Sequence, residues 1–265
     1  MIRIYLRELK ANFKSLLIYM GVVAFFVVVG FQKFSAYAEN PEILEVLDSM
    51  PEALLESFNM NAFNLTTLEG FFGVMYAFVA LILGIAAVMW GSEIISKEER
   101  DKTVEFALTL PVKRSTLITA KIAAALTYCL GLALATWGLN AVSAAGYDPS
   151  PGFYKFLFEG MAALFVLQVI FLAVGIFIGS ALRQHKRSGS VAISVLLVTY
   201  FFSVISGLKE EWEFLKYLTP FAYFDPARIL RESSVEPVYL WISFGVILVS
   251  LIGAYLTYAR RDLYI

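Results

Sequence analysis

Few residues in this chain could do covalent or metal chemistry. The single histidine, His185, sits beside Lys186 in a short basic turn, and the single cysteine is Cys129. One of each excludes a multi-histidine or cysteine-based metal site and an intrachain disulfide. Glu98 and Glu99 are adjacent carboxylates, but no histidine accompanies them to share a metal, so they read as solvated helix-end charges. No Gly-x-x-x-x-Gly-Lys-Ser/Thr run occurs, so the chain carries no phosphate-cradling loop of its own. The stretch 92–114 offers docking chemistry instead. Lys97, Glu98, Glu99, Arg100, Asp101 and Lys102 alternate in sign and lead into a short helical run, 103–110. Val104, Ala107 and Leu108 share one face of that run, with Phe106 and Leu110 beside it, and Pro111 ends it. Ser96 with Glu99 matches a capping box, unless the preceding helix runs on through it, and Ser115 is placed to cap the next helix. An apolar-faced helix hinged by charges fits a groove on another protein, or else packs on the underside of its own.

The elements that hold this stretch are membrane spans. Hydrophobic residues make up 59% of the 265, charged residues 16% and aromatics 15%, and the mean hydropathy is +0.72. A water-soluble fold could not hide that much apolar surface, so the solvent is lipid. About 20 mostly apolar residues are needed to cross ~30 Å of hydrocarbon. Six stretches qualify: 15–31, 71–91, 117–145, 156–182, 188–207 and 238–259. The third is long enough to require tilt or a projecting end. Fifteen of the 21 basic residues fall on the side holding both termini, the 92–116 loop and the turn around His185; fifteen of the 22 acidic residues fall on the other. The positive side faces the cytoplasm, so the reading is a multi-pass protein of the cell membrane with both termini cytoplasmic. A net charge of −1 gives no reason to expect nucleic acid as a partner.

Ile2, Tyr5, Leu6, Leu9 and Phe13 recur at helical spacing, with Arg3, Arg7, Lys10 and Lys14 as an adjacent stripe. Residues 1–14 therefore read as an amphipathic helix at the inner interface, its basic stripe on anionic membrane lipids, or as a plain topogenic signal. Ala36, Tyr37 and Ala38 resemble a signal-peptidase site, but the preceding apolar run is longer than a signal core.

The spans carry no ionisable residue near their midpoints. Lys121 lies close enough to its span's end to snorkel, and Glu159 lies at an outer end. Ion-coupled transporters hold Asp, Glu or His at membrane depth, so that class is disfavoured. Mid-span Asn140 and Gln168 are expected to hydrogen-bond between helices, and Gly175 with Gly179 to allow close approach, within the subunit or at a dimer seam. On the outer side, the acidic loop before the second span has helix-like patterns at Ile43, Val46, Leu47 and Met50 and around Leu54, Leu55 and Phe58. The segment 208–237 is aromatic but broken by Pro220 and Pro226. It is too short to span and reads as a re-entrant or interfacial hairpin. Trp212, Pro220, Phe221, Tyr223 and Phe224 there form either an outer gate or an aromatic belt.

The order of these features resembles the permease subunits of ABC-2 (type V exporter) transporters, in particular the six-span half-transporters of bacitracin, drug or sodium export. The charged cluster 97–100, Thr103, Glu105, Leu108, the Leu110-Pro111-Val112 run, Arg114 and Lys121 fall into the family's first cytoplasmic loop. Lys102 departs from it where the family often has Gly. The resemblance extends to the N-terminal helix, the segment 217–224 and the closing Arg260-Arg261-Asp262. It implies an all-α polytopic membrane protein: an N-terminal interfacial amphipathic helix, six transmembrane helices, a short cytoplasmic coupling helix and the outer hairpin before the last span, in one transmembrane domain over 1–265. It further implies that Glu98, Glu99, Arg100, Thr103, Val104, Glu105, Ala107, Leu108, Leu110 and Pro111 dock on a separate cytosolic ABC ATPase. That ATPase, in two copies, would bind ATP and Mg while this chain holds no cofactor and has no enzyme activity. A second permease copy, identical or related, would complete the transporter. The expected role is export of an amphipathic or lipid-like substrate, such as an antibiotic peptide, drug or lipid. The alternatives are an immunity or sensing subunit that binds a peptide antibiotic, and an ATP-independent channel or scaffold.

Overall fold

The computed structural model describes residues 1–38, 63–100, 113–182, 184–208 and 210–260. Every regular element among them is helical: α1 (Ile2–Ala38), α2 (Leu68–Arg100), α3 (Arg114–Ala144), α4 (Pro151–Ala181), α5 (His185–Leu208), the short α6 (Pro220–Tyr223) and α7 (Pro226–Glu232), and α8 (Pro237–Arg260). Short 3₁₀ turns follow α3 and α5. Helix is the form in which an apolar chain satisfies its own backbone polar groups without water. Six of the helices (α1 to α5 and α8) are long and apolar enough to cross a membrane. The chain is an all-α, multi-pass membrane protein.

At 1.5 Å per residue α1 to α4 run to about 45–55 Å, well beyond the hydrocarbon. α1 is one continuous helix through residue 38, with no break where the amphipathic stretch meets the first span. Its buried ridge is also not the one the apolar spacing marks. Ile4 and Glu8 are buried and Tyr5 and Leu9 half-buried, whereas Ile2, Leu6 and Phe13 are exposed, as is the whole basic stripe. Contacts with α3 decide this: the Tyr5 hydroxyl meets Thr127 Oγ1 at 2.9 Å, and the Tyr128 hydroxyl donates to the carbonyls of Glu8 and Leu9. Half of the predicted face is thus used against protein, and the other half is left for lipid.

α2 and α4 run parallel at the centre of the bundle and pack on each other more extensively than any other pair. α1, α5 and α8 lie outside, turning Phe25, Phe201, Trp241, Phe244 and Val249 outward. Three glycines set the central spacing. A Cβ on Gly91 would lie 2.4 Å from the Leu172 carbonyl oxygen, one on Gly175 2.4 Å from that of Val88, and one on Gly179 2.5 Å from that of Ser92. The Gly175/Gly179 pair therefore packs within the subunit, backbone on backbone.

Two expectations about buried polar groups need correction. Asn140 does not reach another helix: its Nδ2 donates to the Thr136 carbonyl one turn back. Gln168 is fully buried, and neither end of its amide has a partner among the described residues. Both sit in helices surrounded mainly by apolar and small side chains, so the nearest acceptor is the chain's own backbone or none.

Candidate functional site

The run carrying Thr103, Val104, Glu105, Ala107, Leu108, Leu110 and Pro111 lies outside the described residues, as do both helix-like patterns of the acidic loop. The structure gives the stem that holds the run. α2 continues past its apolar segment to Arg100, so Glu98, Glu99 and Arg100 occupy its last turn. Ser96 is inside this helix and caps nothing: buried, it donates from Oγ to the Ser92 carbonyl at 2.8 Å. On the return side Lys113 stands at the N-cap of α3 with no side-chain cap bond. Ser115 is already helical, and its carbonyl accepts from Thr119 Oγ1.

The two arms of the stem are tied by Lys121, which does not snorkel. Its side chain is 0% exposed, and Nζ donates to the Ile94 carbonyl at 2.6 Å, from α3 to α2. Ala120, Ala124 and Ala125, all buried, leave room on that face of α3 for the butyl stem. A buried ammonium demands acceptors, and a backbone carbonyl of the neighbouring arm supplies one.

Further single hydrogen bonds join every long helix to another at this end. Lys97 Nζ reaches Asn12 Oδ1 at 3.1 Å, and Trp90 Nε1 reaches Ser15 Oγ at 2.9 Å, joining α2 to α1. Ser188 of α5 donates to Ser96 of α2 at 3.1 Å. Thr119 and Tyr255 meet at 2.6 Å, Arg114 bonds the carbonyls of Tyr258 and Ala259, and Ser180 meets Thr257 at 2.8 Å. These contacts bind α3 and α4 to α8, with the guanidinium on the last carbonyls of α8 where a cation is favoured. The result is a polar belt around the end of the bundle where α2 ends and α3 begins. Single hydroxyl, amide, indole and basic side chains on different helices form it, so no motif announces it in the sequence.

A model of the ABC-2 family transporter protein matches residues 2–263. The chain belongs to the ABC-2 transporter family. It is the membrane component of an ABC transporter rather than its ATPase, and the family implies association with an ABC ATPase partner. No curated protein matches it at significant similarity.

At the opposite end of this ABC-2 subunit, the segment before the last span folds as a 3₁₀ turn, α6 and α7. Asp225 caps α7 through Ala227 N at 3.0 Å, and Ser233 closes it in the left-handed region with φ 50°. Pro220, Tyr223 and Phe224 are buried and Phe221 is half-buried. Phe221 lies 5.1 Å from Phe171 and 5.4 Å from Tyr200, while Tyr223 stacks on Tyr239 at 5.0 Å. Burial, then the neighbouring Tyr239, pushes the Tyr223 phenol up to about 12, so it stays neutral and donates to the Tyr217 carbonyl at 2.6 Å. Trp212, grouped with these residues from the sequence, lies in the 3₁₀ turn and is 38% exposed. Four of the five predicted aromatic and proline residues thus pack at the foot of the last span, over α4 and α5.

Proposed function

We propose that this ABC-2 subunit is the membrane-spanning half of an ATP-driven exporter, paired with a second permease copy and driven by two copies of a cytosolic ATPase. The 98–111 segment is the coupling element: Glu98, Glu99 and Arg100 form its charged hinge, and the Val104–Ala107–Leu108 face enters a groove of the ATPase. ATP and Mg are held by the partner. Both termini and the coupling segment face the cytoplasm, in keeping with the basic residues gathered there. Apolar, aromatic-rich helices without ionisable residues at mid-depth suit an amphipathic or lipid-like cargo.

The observation that carries this reading is the stem. Lys121 on the Ile94 carbonyl joins the two helices that enter and leave the segment, and the polar belt joins those helices to the others. A push on the segment therefore moves the bundle rather than a loose loop. Reconstitution with the ATPase that co-purifies from the host tests it. With Glu98→Ala, stimulation of ATP hydrolysis by the permease is expected to fall several-fold while the protein remains folded. Undiminished stimulation would remove the hinge role from Glu98.

A further inference from the structure

Between the hairpin and the spans lies a cavity of about 320 Å³, within the size range of small-ligand sites. Its composition is graded. Toward mid-span it is closed by Ala80 of α2 and Leu167 of α4. Its walls include the rings of Tyr76, Tyr200, Phe221 and Tyr239. At the hairpin end it meets charges of both signs: Lys216 and Arg228, with Asp225 and Glu236. Arg228 is held between Glu232 at 3.0 Å and Glu236, and Lys216 lies 3.0 Å from Glu213. Tyr200, Ser203 and Tyr239 line the same space, and their hydroxyls make no hydrogen bond among the described residues.

We propose that this cavity binds a zwitterionic phospholipid, its headgroup at the charged end and the first part of its acyl chains against Ala80 and Leu167. Cations and hydroxyls are acceptable neighbours for a phosphate, and Asp225 and Glu236 for an ammonium. A purely anionic head would meet those carboxylates, and a purely cationic one would meet Lys216 and Arg228. The aromatic walls suit the boundary between headgroups and hydrocarbon, where such rings collect in membrane proteins. The site deepens the export reading by naming a lipid-like cargo and where it would rest in the outer half of the bundle, and it rests on that reading for its direction. Binding itself needs no ATPase, so failure here and failure of ATP coupling are separate results.

The test is calorimetric titration of the purified full chain in detergent with dihexanoyl phosphatidylethanolamine. Dihexanoyl phosphatidylglycerol and dodecyltrimethylammonium serve as the anionic and cationic comparisons. Saturable binding of one phosphatidylethanolamine per chain is expected, at least tenfold tighter than either comparison. Ala77→Phe, which fills the cavity from α2, should weaken it at least tenfold. Tyr200→Phe, which removes only a hydroxyl, should weaken it a few-fold, and Trp241→Phe on the exposed face of α8 should leave it unchanged. Absence of saturable binding, equal binding of either comparison, or equal binding by wild type, Ala77→Phe and Tyr200→Phe would overturn the assignment.

Discussion

Gly175→Val should abolish recovery of folded protein, and Gly175→Ala should lower it sharply. Two magnitudes compete at such a position. Replacing a mid-helix glycine with alanine gains up to ~1 kcal/mol of helix propensity. Against this, a Cβ at Gly175 would sit 2.4 Å from the Val88 carbonyl oxygen and 3.1 Å from the Ser92 nitrogen, and both obstacles are backbone. A side chain can rotate away from an intruder; a helix must shift as a whole, and that places the cost at or beyond the upper end of the usual ~1–3 kcal/mol for overpacking. Because α2 and α4 form the most extensive pairing in the bundle, the loss reaches the whole fold. Gly138→Ala is the internal comparison: nothing lies within 4 Å of a Cβ there, so only the propensity gain remains and stability should be unchanged or slightly higher. Size-exclusion profiles and thermal midpoints in detergent read both. If Gly175→Val proved as stable as wild type, the close central crossing would be wrong.

The second large effect concerns the proposed docking face. Leu108→Asp puts a carboxylate on an apolar face meant for a protein groove. A residue at the centre of such a contact commonly contributes ~2 kcal/mol or more, about a thirtyfold change in affinity. Stimulation of the partner ATPase should therefore fall at least tenfold and co-purification with it should weaken, while the thermal midpoint of the permease alone stays put. That last readout separates docking from self-packing: if Leu108 covered the underside of its own bundle, the isolated chain would lose stability instead.

Much of the architecture is legible in the sequence because lipid makes it so. Length and apolarity define a span almost unaided, and Pro220 and Pro226 mark the broken hairpin before α8. The belt at the other end was not legible. It depends on which turn of one helix meets which turn of another, as with Ser96 and Ser188 or Thr119 and Tyr255, and single hydroxyls carry no spacing signature. Lys121 shows the same limit. Position along the span suggests snorkelling, yet its rotational position on α3 aims it at α2, where the Ile94 carbonyl waits. Periodicity on α1 found an apolar face but not which half would be taken by α3. The proposed docking segment is the reverse case: its pattern is clear in the sequence, and the structure contributes the helix ends on either side of it.

The most direct test of the central claim is photo-crosslinking from the docking face. Cys129 is fully buried, so a thiol-reactive benzophenone can be attached selectively to a Leu108→Cys variant without altering the native cysteine. Illumination of membranes containing the co-expressed ATPase should join the two chains covalently, and mass spectrometry should place the link between residue 108 and the ATPase. Links found only to lipid or to other parts of the permease would contradict the account.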